Sequence, residues 1–177
     1  MARLLDFVFF VYFLTHIPIS LLVDFQALLP SEYYPQQLID LKTWYCREYR
    51  DSMMASPPSW FKSLIICEVI QFPFFFFGVY GFFKGAKQCR WLRWPCVVYG
   101  VHVATTLVPI IGYVLLEDFS KATLPSPRNM TERLTLLGFY SPYLVIPILI
   151  ALDALFSSAY TDYRAASNQK PRDKKIK

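Results

Sequence analysis

Two histidines, three carboxylates and a glutamine stand in stretches otherwise built largely from apolar and aromatic residues. His16 and Asp24 lie in one stretch and Glu68 with Gln71 in a second; His102 with Thr105 and Thr106 lie in a third, and Tyr140, Tyr143 and Asp153 in a fourth. At the centre of a bilayer a charged side chain costs about 2.5 to 3.5 kcal/mol, so each such group needs a partner, water or a ligand. Helical spacing gathers them. Glu68 and Gln71, three apart, share a face; His102 shares one with Thr105 and Thr106, and Tyr140 shares one with Tyr143. His16 and Asp24, eight apart, are near enough in angle to face one interior, with Pro18 free to adjust their relation. Turned inward, these faces make one polar interior. Carboxylates and aromatic π-faces stabilise positive charge, which suits a cationic amine or a carbocation-like intermediate. Apolar walls around them suit a sterol or another lipid carrying one hydroxyl. No nucleophile motif, phosphate-cradling glycine loop or HExxH pattern is present, and no cofactor is expected.

Single residues leave alternatives. Asp24 lies near a segment end, where simple hydration also satisfies it, whereas Glu68 is deeper and reads as a pocket or relay group. His102 can bond a carbonyl freed by a proline. Asp153 has no partner within reach on its own helix.

The elements that must position these groups follow from composition. The chain has 177 residues, 55% hydrophobic and 18% aromatic, with a mean hydropathy of +0.32. Four segments can cross a hydrocarbon core of about 30 Å: Leu4 to Phe25, Trp60 to Phe83, Pro95 to Leu116 and Leu137 to Ala159. The first is too long for a signal-peptide core and no small-residue cleavage site follows it, so it is expected to be retained. Each segment carries an internal proline, Pro18, Pro73, Pro109 and Pro147, with Pro142 a second in the last. A proline frees a carbonyl, and in lipid that group needs another partner. The expected fold is an all-α membrane protein: a four-transmembrane-helix bundle with proline-kinked helices and a central ligand pocket. It forms one domain over residues 1–159, followed by a basic tail over 160–177. The stretch LIDLKTWYCREYRD in the first long connection is amphipathic and suits the membrane interface.

Lys84, Lys87, Arg90 and Arg93 follow the second segment, and six more cations follow the fourth. Cations favour the cytosolic side, which predicts cytosolic termini and lumenal loops between. The net charge of +5 thus reflects topology and contact with anionic lipid heads, and argues for no nucleic-acid partner. Asn129-Met130-Thr131 is a glycosylation acceptor pattern on the lumenal side. Lys174 and Lys175, fourth and third from the end, have the spacing of a dilysine retrieval signal. The four cysteines differ in expected depth and compartment, so neither a disulfide nor a metal site is expected from them.

The segments HIPISLLVDFQALLP, WFKSLIICE, HVATTLVPI, EDFSKA and ERLTLLGFYSPYLVIP, spanning about residues 9 to 150, resemble the EXPERA family, which includes the emopamil-binding sterol isomerase. The resemblance implies a non-enzymatic, multi-pass protein of the endoplasmic reticulum membrane, with lysosomal or nuclear membranes as further locations. It implies binding of sterols such as cholesterol or oxysterols and of cationic amphiphilic amines. Homodimerisation and an interaction with the Niemann-Pick type C cholesterol transporter are implied as well. By position, Asp24 would pair a ligand amine, with Asp51 in contact behind it. Two such carboxylates would share one proton and match one ammonium. His16, Trp44, Tyr45, Met54, Glu68, Gln71, Thr106, Tyr140 and Tyr143 would stand in or beside the pocket. A sterol isomerase using the interior carboxylates and histidines is the rival reading, and a trafficking adaptor with a regulatory lipid pocket is a third.

Overall fold

The computed structural model describes residues 3–161; the dilysine pattern at Lys174 and Lys175 lies outside them. Within them the chain is helical, with no strand. Helix α1 spans Leu4–Leu22, α2 Gln36–Glu48, α3 Ser52–Ala55, α4 Ser59–Lys84, α5 Arg93–Leu116 and α6 Met130–Phe156. Four of these, α1 with its following turn, α4, α5 with its preceding turn and α6, are long and apolar enough to cross a membrane, at mean hydropathies of 1.7 to 1.9. The expected four-helix membrane fold is thus the observed one.

The helix ends depart from expectation where capping chemistry overrides hydropathy. Helix α6 begins seven residues before the expected Leu137 because Asn129 caps it, its Oδ1 accepting from the Glu132 amide at 2.9 Å. The first helix stops at Leu22, and Asp24 opens a separate 3-10 turn over Asp24–Ala27. Helix α4 ends at Gly85, whose φ of 96° only glycine adopts freely. The C-terminus of α5 is closed by the Arg133 guanidinium, which donates to the carbonyls of Val114 at 2.6 Å and Glu117 at 2.7 Å. Pro18, Pro73, Pro109, Pro142 and Pro147 all sit inside their helices, so the chain continues through each one.

Helix α1 packs on α4, and α5 packs on α6 more extensively than any other pair. Small residues set these approaches, as expected where lipid removes the usual hydrophobic drive between helices. Gly100 on α5 meets the backbone of α6 so closely that a Cβ there would stand 2.4 Å from the Pro147 carbonyl oxygen. Between α1 and α4 the fit is aromatic: Phe9, Phe13, Phe75 and Phe82 are fully buried, with Phe13 and Phe82 stacked at 5.9 Å. The outer faces carry Ile70, Phe76, Phe77 and Phe83 on α4 and Val98, Val101 and Val108 on α5, all exposed as a lipid-facing surface requires.

A charged staple closes the bundle at the end where the described chain starts and stops. Arg3 donates from Nη1 and Nη2 to the two oxygens of Asp153 at 2.8 and 2.7 Å, from Nη2 to Asp6 at 2.7 Å, and from Nη1 to Ser157 at 2.7 Å. Asp153, which lacked a partner on its own helix, finds one at the start of α1. Arg3 also lies 5.8 Å from the Tyr160 ring centroid.

Candidate functional site

The four long helices and the α2–α3 segment enclose a cavity of about 300 Å³. Helix α1 and its turn bring His16 and Asp24 to its wall, α4 brings Glu68 and Gln71, α5 brings Thr106, and α6 brings Tyr140 and Tyr143. The segment between α1 and α4 contributes Tyr45 and Met54. Most of the remaining wall is aliphatic, from residues such as Ile19, Leu64, Ile65, Leu107 and Ile110.

At the polar end a ligating nitrogen of His16 and carboxylate oxygens of Asp24 and Glu68 all lie within 4.8 Å of one another. His16 Nε2 is 3.7 Å from Glu68 Oε1, and Ser20 Oγ donates to that same oxygen. The imidazole is fixed by its neighbours: it stacks on Phe75 at 4.5 Å and packs against Tyr143 at 4.8 Å and Tyr12 at 5.2 Å. The Tyr12 hydroxyl is itself held by Tyr99 at 3.0 Å. Among the described residues no lysine or arginine lines the cavity. Asp24 and Glu68 face one another at close range, hydrogen-bonded side chain to side chain, and this acidic end of the cavity attracts a cation.

Asp51 and Trp44 stand beside the cavity rather than on its wall. Asp51 is fully buried behind it, capping α3 through the Met54 amide at 3.0 Å and accepting from the hydroxyls of Tyr140 at 2.7 Å and Tyr45 at 3.2 Å. Asp24 instead faces Glu68. Asp51 stays within electrostatic reach of Asp24 while its hydrogen bonds go to the tyrosines. Burial pushes the Asp51 carboxyl above the usual carboxylate range, against the lowering effect of those three hydrogen bonds. Trp44 is 54% exposed and meets the edge of Tyr49 at 5.9 Å; its neighbour Tyr45, about 100° further round the helix, takes the inward position.

Three further placements differ in detail. His102 bonds Gln71 side chain to side chain at 2.9 Å rather than a carbonyl freed by proline. Thr105 faces out and donates to Val101, while Thr106 donates to Val103. Spacing gave no sign of Phe139, which lines the cavity and packs on Tyr49 at 4.1 Å.

An apolar cavity inside four membrane-crossing helices, with paired acids and a histidine at one end, defines a membrane protein built around an interior chamber. By sequence comparison the chain belongs to the EXPERA family, the expanded EBP superfamily, whose model matches residues 37–154. It is 51% identical over 160 residues to the Sigma intracellular receptor 2 of Xenopus tropicalis, an alignment covering 90% of this chain and 92% of that protein. The Homo sapiens protein of the same name is 44% identical over 162 residues, covering 89% and 91%. More distantly, the chain is 24% identical over 152 residues to the Efficient mitochondria targeting-associated protein 19 of Saccharomyces cerevisiae, covering 77% and 89%. Relatives of similar length are thus named as receptors, within a family whose description refers to EBP.

Proposed function

We propose that the protein is a non-enzymatic receptor for sterols and cationic amphiphiles in the endoplasmic reticulum membrane. In this reading it acts in intracellular cholesterol handling through the Niemann-Pick type C cholesterol transporter, as a homodimer with both termini in the cytosol. The observation that carries the ligand reading is the Asp24–Glu68 pair at one end of an apolar cavity whose wall, among the described residues, holds no cationic side chain. An ammonium seats between the two acids, and its apolar body lies along the aliphatic wall from α4 and α5. A sterol uses the same wall, with its hydroxyl among Gln71, Thr106 and the tyrosines.

The test is ligand-selective. Asp24→Asn removes the charge at one acid and keeps its size, so affinity for a tertiary-amine ligand collapses while sterol affinity only weakens. Equal amine affinity in variant and wild type refutes the proposal. His16, Asp24 and Glu68 are also groups able to move a proton, the specific observation that favours the sterol isomerase reading. Incubating the purified protein with a sterol bearing a shiftable double bond separates the two: turnover establishes the isomerase, and unchanged sterol supports the receptor.

A further inference from the structure

We propose that the connection between α4 and α5 is a docking site for an anionic phospholipid of the adjoining leaflet. Lys84 and Lys87, with Arg90 beside them, hold its phosphate, and Trp91 and Trp94 lie along the upper part of its acyl chains. The proposal is independent of the receptor reading, since none of these residues belongs to the cavity wall.

The connection runs only from Gly85 to Leu92 between two membrane-crossing helices, so its side chains stand at the membrane surface. Its backbone is built rather than loose. Gly85 turns the chain at φ 96°, and its carbonyl accepts from the amides of Gln88 at 2.9 Å and Cys89 at 3.1 Å. The Leu92 amide then donates to the Cys89 carbonyl at 3.0 Å. Ala86, Cys89 and Leu92 are buried, whereas Lys84, Lys87, Gln88, Arg90 and Trp91 are exposed. Anchoring the apolar positions inward sets the basic ones in a fixed rim.

Charge at this end of the bundle falls into two sets. Asp6 and Asp153 both accept from Arg3, and Arg93 donates to the carbonyls of Ala154 at 3.1 Å and Leu155 at 3.2 Å. Lys84 and Lys87, by contrast, have no ion pair among the described residues. The chain carries no carboxylate between Glu68 and Glu117. A basic rim without acids of its own draws an anion. Lysine suits a phosphate as a compact point charge, and its stem can lie along lipid.

The aromatic residues say which anion. Trp91 is 50% and Trp94 64% exposed, and Trp91 meets the edge of Phe77, on the lipid-facing side of α4, at 6.2 Å. The lipid face of α4 therefore continues without a break into the basic rim. Tryptophan at this depth rests its ring against lipid at the level of the headgroups. A soluble phosphate compound or an acidic peptide offers no such apolar contact, whereas an anionic phospholipid supplies both halves.

The test uses the full chain in detergent, with lipid retention read by native mass spectrometry. Phosphatidylserine and phosphatidylglycerol, alike in charge, should each be retained at least about tenfold more strongly than phosphatidylcholine, with the preference falling as salt rises. One surface cation contributes about fivefold to binding an anionic lipid surface, so Lys84→Gln with Lys87→Gln should lower retention of both anionic lipids roughly 25-fold. Lys62→Gln with Lys121→Gln makes the same charge change at the other end of the bundle and should leave retention unchanged. Glycerophosphoserine, the headgroup without acyl chains, should not displace the lipid. Equal retention of phosphatidylcholine, an unchanged Lys84/Lys87 variant, an equal loss in the control variant, or displacement by glycerophosphoserine overturns the proposal. If the Lys84/Lys87 variant elutes as aggregate, the wild-type preference, its salt dependence and the displacement arm decide alone.

Discussion

Asp51→Asn separates a counterion from a positioning residue. Asp51 holds three donors at once: the Met54 amide, the Tyr45 hydroxyl from α2 and the Tyr140 hydroxyl from α6. Both tyrosines line the cavity and Asp51 does not, so it acts on a ligand through them. Asparagine keeps the cap, since its Oδ1 accepts from the Met54 amide as well as aspartate does. Its NH₂ then faces two hydroxyls that were donors. Either they turn to accept, or they lose a partner. The net loss is about 1 to 2 kcal/mol, one to two ordinary hydrogen bonds, or about 5- to 30-fold in affinity if it falls on the cavity wall. Because Asp51 reaches the cavity only through Tyr45 and Tyr140, the loss falls on the placement of those two side chains. Amine and sterol affinities should therefore fall by the same factor in equilibrium binding with the purified protein. Tyr140→Phe, which deletes the 2.7 Å bond, should reproduce most of that fall. Selective loss of the amine, with sterol affinity unchanged, would refute the argument and restore Asp51 as a counterion.

Other substitutions test the frame and the loop. Gly100→Ala drives a Cβ toward the Pro147 carbonyl and should cost about 2 kcal/mol by overpacking, read as a lower melting temperature. Gly112→Ala, with nothing within 4 Å of its Cβ, is the matched control and should not lower it. Arg3→Met strands Asp6 and Asp153, which are 1% and 7% exposed, and should cost about 3 kcal/mol; an unchanged melting temperature would show that the staple is ornamental. Burial and the neighbouring Asp51 push the Cys46 thiol up from 9 to about 12. Between those values the unfolded chain releases a proton that the folded chain keeps, so this group's contribution to stability falls as pH rises across the window. Melting followed from pH 8 to 11 should therefore show a flatter decline in Cys46→Ala than in wild type.

Much of this was legible in the residues, and the boundary has physical causes. Depth and helical spacing are local properties, so His16, Glu68, Gln71, Tyr140 and Tyr143 could be assigned to one interior from the chain alone. The partners of Arg3 and Asp51 could not, because Asp153 is 150 residues from Arg3 and Tyr140 is 89 from Asp51. Asp51 takes its tyrosine partners from α2 and α6, contacts that a motif position does not specify. Asn129-x-x-Glu132 is a helix-start signature as well as part of a glycosylation acceptor pattern, and it marks the start of α6 where hydropathy does not. Trp44 and Tyr45 are adjacent, and hydropathy cannot say which of two neighbouring aromatics turns inward.

The Arg3 staple bears on how the protein is made. Synthesis delivers α1 to the bilayer long before Asp153 exists, so an arginine intended for α6 has to wait at the membrane. Asp6, one helical turn away, is already bonded to it, through the guanidinium at 2.7 Å and the Arg3 amide at 3.0 Å. A nascent α1 thus carries a provisional escort for its own cation, and Asp153 joins that pair when the last helix docks. The chain's first helix and its last are registered as one event, and assembly is complete only when the final span has arrived.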